Sequence, residues 1–181
     1  TFTADGKFGG AVTFNGTNQG FQAGGAQDTI LQNAESVLTY ASWIRIDPTQ
    51  SGTRLIFEEG GSTNGLTLWT DGGSMNARIL NNGVTGPGVT VTAAGALTGG
   101  WHHITVSYSY STIRLYVDGV ELDSKVFAAS LNAHSDNSGI GYLDGSTPFV
   151  TANTFFSGAM DEIYYFDDAG LTASQIASLA N

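Results

Sequence analysis

The apolar positions of this chain fall mostly into short runs of alternating parity, the pattern of strands that bury one face. The stretch from Trp101 to Asp123 shows it most clearly. Ile104, Val106 and Tyr108 share one parity and Ile113, Leu115 and Val117 another, while Thr105, Ser107, Arg114 and Tyr116 point the opposite way. Asp118-Gly119 supplies the positive φ angles that a two-residue hairpin turn requires, leading to Val120 and Leu122 as the start of a further strand. The same alternation predicts strands over Ala11–Phe14, Leu38–Ile46, Arg54–Glu58, Leu66–Thr70, Asn76–Leu80, Val89–Val91, Ser138–Tyr142 and Ala159–Phe166. Turn signals at Asn15-Gly16, Asn64-Gly65, Asp71-Gly72-Gly73, Asn82-Gly83 and Asp144-Gly145 divide them. About a dozen short strands with such turns describe an all-β, antiparallel, two-sheet sandwich. Helical spacing is confined to Ala173–Leu179, where Ile176 and Leu179 make a small apolar stripe behind Thr172 as N-cap.

Composition narrows the function more than the fold. With 181 residues and 41% hydrophobic content the chain can bury one sizeable core, and nothing in it marks a boundary between two domains. Six basic against sixteen acidic residues give a net charge of −10, which argues against nucleic acid and anionic membranes as partners and suits hard cations. There are no cysteines, so disulfides, thiolate metal sites and cysteine nucleophiles are excluded. No apolar run is long enough for a transmembrane helix, and the polar opening TFTADGKFGG is not a signal peptide.

Four segments together resemble laminin-G-like domains of the concanavalin A-type jelly-roll superfamily, in that family's order and over nearly the whole chain. They are the Trp101-His102-His103 opening with its Leu115-Tyr116-Val117-Asp118-Gly119 turn, the stretch Gly6-Lys7-Phe8-Gly9-Gly10-Ala11-Val12-Thr13-Phe14-Asn15-Gly16, the closing stretch Phe156-Ser157-Gly158-Ala159-Met160-Asp161-Glu162-Ile163, and Leu171-Thr172-Ala173-Ser174-Gln175-Ile176. The resemblance implies a jelly-roll β-sandwich with a short C-terminal helix. Family members usually carry another strand before the Gly-Lys-Phe-Gly-Gly stretch, so the chain is expected to be a module of a longer secreted or cell-surface protein, with the parent chain's other domains as neighbours. The resemblance also implies a structural calcium at Asp161, with backbone carbonyls and an Asp or Asn near the opening strand, here Asn15. Ordinary solvated carboxylates and a turn asparagine are the plain alternative. Asp136, Asn137 and Asp144 could form a second, weaker site or simply polar turns.

A sugar-binding surface needs an exposed aromatic ring flanked by planar hydrogen-bonding groups. Trp43 and Trp101 alternate within family core strands and are expected in the core. Trp69 lies at a strand end beside Asp71-Gly72-Gly73, with Asn76, Arg78, Asn81 and Asn82 on the next hairpin, and is the first candidate platform. Tyr142 and Phe149 border the long loop from Leu131 to Phe149 and are further candidates, with Asp144 among them. Catalytic chemistry finds no support. The Glu-x-Asp-x-x-Glu run of related laminarinases is missing, and Glu58-Glu59, Asp161-Glu162 and Asp167-Asp168 are neighbours that a strand points to opposite faces. His102 and His103 belong to the fold signature, His134 lacks a Gly-x-Ser-x-Gly partner, and Asn15-Gly16-Thr17 is more economically a turn than a glycosylation acceptor. The reading that follows is a non-catalytic carbohydrate-binding module of a bacterial polysaccharide-degrading or adhesion protein. A protein-adhesion or spacer domain is the alternative, since the fold hosts both.

Overall fold

The computed structural model describes residues 1–23, 31–81, 88–143 and 154–181. Among these, the strands are β1 (Phe2–Thr3), β2 (Ala11–Asn15), β3 (Phe21–Ala23), β4 (Leu38–Ile46), β5 (Thr53–Gly60), β6 (Asn64–Asp71), β7 (Ser74–Asn81), β8 (Val89–Ala93), β9 (His102–Ser109), β10 (Thr112–Val117), β11 (Val120–Val126), β12 (Ser138–Ile140) and β13 (Ser157–Asp167), followed by helix α1 (Ala173–Leu179). They form two antiparallel sheets: a seven-stranded one ordered β1-β2-β13-β4-β9-β10-β11 and a six-stranded one ordered β3-β12-β5-β6-β7-β8. This is the antiparallel two-sheet sandwich that the alternation predicted and the jelly roll that the resemblance implied.

The core lies between the sheets and is built by parity. Leu38, Tyr40 and Ile44 of β4, Ile104, Val106 and Tyr108 of β9, and Ile113, Leu115 and Val117 of β10 meet Phe57, Leu66, Leu68, Met75, Ala77, Ile79 and Val91 from the other sheet. Each such aliphatic or aromatic side chain contributes about 1.5–3 kcal/mol on burial. Tyr40 stacks on Phe57 across the layer with ring centroids 4.7 Å apart. The hairpin at Asp118-Gly119 forms as expected, with φ of +50° and +77°. The preceding turn is Tyr110-Ser111, φ +51° and +59°, which no Gly or Asn announced. Asn64-Gly65, expected as a turn, instead begins β6, because Gly61 N–H to the Asn64 carbonyl closes the turn one step earlier.

The Trp-His-His segment is structural, as its place in the signature implied. The Asp118 carboxylate receives the His103 N–H at 2.9 Å and pairs with His102 Nδ1 at 2.8 Å, while His102 Nε2 accepts the Thr98 N–H. Trp43 is buried but not between the sheets: it alternates with Tyr40 and Ile44 and so lies on the outer face of the seven-stranded sheet. Trp101 is only half buried, with the Arg45 guanidinium 5.0 Å from its ring centre, so Trp43 is buried as expected and Trp101 is not.

The helix matches its prediction residue for residue. Thr172 accepts the Gln175 N–H, and the Gln175 side chain returns a bond to the Thr172 N–H, completing a capping box. Seven residues are too few to hold a helix alone, so the fully buried Ile176 fastens it to the sandwich. Thr172→Ala is expected to lower unfolding free energy by about 1 kcal/mol in urea titration. A loss within error of zero would show that Ile176 alone secures the helix.

Candidate functional site

Three of the sequence-selected residues come together. On the six-stranded sheet Trp69 pairs with Asn76, which pairs in turn with Thr92, and Thr67 pairs with Arg78, which pairs with Thr90. Leu66 and Leu68 face the core, so these two rows share the outer face, and within the first of them Thr92 Oγ1–H donates to Asn76 Oδ1 at 2.9 Å. Glu58, paired with Thr67 and not singled out from the sequence, extends the row. Trp69, however, is only 4% exposed and Asn76 is buried as well. The first candidate platform therefore offers no bare ring, leaving a polar patch around the half-buried Arg78. Asn81 is a structural residue: its side chain donates to the Ser130 carbonyl at 2.7 Å, beside an Asn64–Asn132 pair that fixes the same segment. Tyr142 is half buried and stacks on Phe155, interplanar angle 7°. Asp144, Phe149 and Asn82 lie outside the described residues.

Asp161 and Asn15 do not come together, which corrects the expectation that they share one calcium. The β2–β13 ladder places Asn15 opposite Ser157, four positions before Asp161. That separation is roughly 13 Å along a strand, far beyond the span of one ion's ligands. Asn15 Oδ1 instead accepts the Thr17 and Asn18 N–H groups, as a turn asparagine does. Asp161 is buried and both its oxygens are engaged, Oδ2 with the Phe8 N–H and Oδ1 with the Glu162 N–H, each at 2.9 Å. No group of three metal-ligating side chains forms around it among the described residues. Asp136 packs its carboxylate against Gly61 and likewise belongs to no such group.

What Asp161 does is hold the loop that carries Lys7 and Phe8 over the outer face of the seven-stranded sheet. Asp161 pairs with Trp43 and Tyr164 with Ala41, so Glu162 and Ile163 oppose a single residue of β4 in a β-bulge. Glu162 takes φ +48°, a conformation that costs a non-glycine residue of order 1 kcal/mol or more and that recurs at functional sites. The bulge resets the alternation and puts Tyr164 on the same face as Asp161 and Trp43. A cleft of about 280 Å³ results, lined by Phe8, Trp43, His103, Glu162, Tyr164 and the helix residues Ser178 and Leu179. Two of its rings are open to solvent, Phe8 at 50% and Tyr164 at 40%. Phe8 meets Trp43 edge-on, and the Lys7 ammonium sits 4.0 Å from the Trp43 ring centre. The Tyr164 hydroxyl donates to the Glu162 carboxylate, which raises the phenol's pKa. Burial lowers the His103 pKa to about 4, only partly opposed by Asp118, so the imidazole in the cleft wall is neutral. A larger hollow of about 390 Å³ lies beside Arg45, Asp47, Pro48 and Gly158, but among the described residues no exposed ring lines it, and Arg45 is bound to Asp5 at 2.9 Å.

At the far end of β13, Glu35, Asp167 and Asp168 form a cluster of carboxylates. Burial first, then the neighbouring Asp167 and Asp168, push the Glu35 carboxyl up to about 8. Tyr165 next to it is raised by burial and by Glu59 and Glu35.

A double-sheet jelly roll is an architecture found in lectin domains among others. The chain belongs to the concanavalin A-like lectin/glucanases superfamily, whose Laminin_G_3 family model matches residues 15–177. No curated protein matches it by sequence. Among solved structures it is similar to the Ruminococcus gnavus IT-sialidase CBM40 bound to α2,3-sialyllactose, at TM-score 0.72 and 12% identity over 94% of this chain and 98% of that one. It also resembles domain 4 of AbnA, a GH43 extracellular arabinanase from Geobacillus stearothermophilus in complex with arabinotriose, at TM-score 0.70 and 18% identity over 100% and 81%. A third match is the mouse laminin α1 chain domains LG4-5, at TM-score 0.65 and 20% identity over 91% and 42%. These likenesses show the shared fold. No helix among the described residues is long and apolar enough to cross a membrane.

Proposed function

We propose that this domain is a non-catalytic carbohydrate-binding module of a secreted bacterial protein, and that it binds glycan in the cleft between Phe8 and Tyr164. The observation that carries the reading is the pair of solvent-open rings flanking a cleft with converging polar groups, Glu162, His103 and Ser178. Sugar rings present an apolar face for stacking and hydroxyls for hydrogen bonding, and this cleft supplies both partners. The strained Glu162 fits the same role, since its conformation fixes a carboxylate oxygen and the Tyr164 hydroxyl as a joined acceptor and donor. The sialyllactose-bound CBM40 and the arabinotriose-bound arabinanase domain lend support as glycan-bound proteins of the same fold. Absence of catalysis is part of the proposal: among the described residues Glu162 is the one carboxylate lining the cleft, and hydrolysis of a glycosidic bond ordinarily takes two.

The outer face of the six-stranded sheet, with Arg78, Asn76 and Thr92, is a second location that the register favours. A glycan array on the purified domain tests both. Tyr164→Ala and Phe8→Ala should each weaken retention on the cognate glycan by roughly 1–3 kcal/mol, with Arg78→Ala near wild type. Loss only in Arg78→Ala would move the site to the six-stranded sheet. Failure of any glycan to bind would favour the adhesion or spacer alternative.

A further inference from the structure

Glu35, Asp167 and Asp168 bring one carboxylate oxygen each within 4.8 Å of one another. The backbone beneath them is fixed on each side. Glu35 exchanges two hydrogen bonds with Leu131, N–H to carbonyl at 3.0 Å and carbonyl from N–H at 2.8 Å. Asp167 ends β13 opposite Leu38. Asp168 takes φ +53°, and the Thr39 hydroxyl then ties down the following turn by donating to the Ala169 carbonyl at 2.9 Å and accepting the Leu171 N–H at 3.1 Å. The three acids are therefore held together by chain that cannot easily splay.

Glu35 is only 2% exposed, and neither of its carboxylate oxygens has a donor in hydrogen-bond geometry. No Lys, Arg or His among the described residues pairs with any of the three. A buried carboxylate facing two others without a counter-charge costs folding free energy unless a proton or a cation neutralises it. We propose that Glu35, Asp167 and Asp168 form a divalent-cation site, with calcium as its ion, at the end of the sandwich where β4 begins and β13 finishes. All three donors are hard oxygens, with no His or Cys to favour a softer metal. Three carboxylate oxygens this close together can reach one ion at the roughly 2.3–2.6 Å typical of calcium, whose loose coordination shell also tolerates two exposed acids and water better than magnesium's strict octahedron does. Asp167 and Asp168 are exposed, which leaves the outer coordination positions to water. An ion there would clamp the start of β4 to the end of β13, a role separate from glycan recognition in the Phe8–Tyr164 cleft.

The test is calorimetric titration of the chelator-treated chain with calcium chloride, and separately with magnesium chloride, paired with melting curves. Wild type should bind one calcium per chain in preference to magnesium and melt higher with it. Glu35→Gln should weaken calcium by more than roughly tenfold, because it removes the buried charge while keeping the shape. Asp168→Asn should weaken it too, and guards against a folding defect in Glu35→Gln, since Asn adopts the φ that Asp168 holds. Asp161→Asn should leave calcium affinity near wild type. Calcium binding lost in Asp161→Asn but kept in the other two variants would overturn the proposal and place the ion on the closing strand. Absence of calcium binding at millimolar concentration would equally overturn it and leave the cluster as carboxyls that share a proton.

Discussion

Gly158→Ala is expected to lower the unfolding free energy by about 3 kcal/mol, the combined effect of backbone strain and a clash that no rotamer relieves. Gly158 holds φ +146° in β13, between Phe14 of β2 and Ile46 of β4. A Cβ there would stand 2.2 Å from the Arg45 carbonyl oxygen and 3.1 Å from the Phe156 ring. The carbonyl belongs to Arg45, which pairs with Ala159 directly beside Gly158, so it cannot withdraw without loosening the β4–β13 ladder. Urea denaturation of the variant beside wild type reads the difference directly. A loss below about 1 kcal/mol would mean that β13 does not approach β4 as closely as described.

The second large effect is a dependence on pH that belongs to His103. Its unfolded-state pKa is near 6.5, and burial against Trp43 and Thr105 lowers the folded value to about 4. A group held neutral in this way contributes stability above pH 6.5 and loses it as the pH falls toward 4, because the unfolded chain takes up the proton first. Over that window the loss should reach about 3 kcal/mol relative to His103→Asn, which keeps a polar atom beside Thr105 but has no proton to gain. Asp118 and Glu162, the charged groups nearest the ring, are present in both proteins. The comparison between the two matters because Glu35, with its pKa raised to about 8, acts in the opposite sense: its contribution is present in acid and fades as the pH rises through 8. Stability curves for wild type and His103→Asn that stay parallel from pH 7 to 4.5 would remove His103 as the cause.

The strands were legible because inward and outward positions alternate with little interruption. β4 runs from Leu38 to Ile46, as its parity predicted, and the Asp118-Gly119 turn follows from residues that tolerate positive φ. Where other residues adopt that conformation, as at Tyr110-Ser111 and Glu162, the sequence carries no sign of it. The bulge at Glu162 is the more consequential case. Strict alternation sends Asp161 and Tyr164 to opposite faces, and only the inserted residue brings Tyr164 over to line the cleft with Trp43. Trp69 failed for another reason: alternation separates the two faces of a sheet but does not say how much solvent reaches the outer one. Asn15 and Asp161 were matched by resemblance to ends of neighbouring strands, and register, which sequence leaves open, set them four places apart. Glu35 and Asp167 belong to segments widely separated in the chain, and only the β4–β13 pairing reveals that their charges meet.

Strand β13 lies inside the seven-stranded sheet, between β2 and β4, although it follows every other strand in the chain. During synthesis the sheet must therefore wait with an open seam. β4, β9, β10 and β11 can assemble as consecutive neighbours, but β2 has no partner on its inner side until the segment from Ser157 emerges. Closing the seam joins residues separated by most of the chain, a step with a high entropic barrier and a correspondingly low rate. Throughout that wait the exposed edges of β2 and β4 are templates for another chain, so yield on refolding should fall steeply with protein concentration.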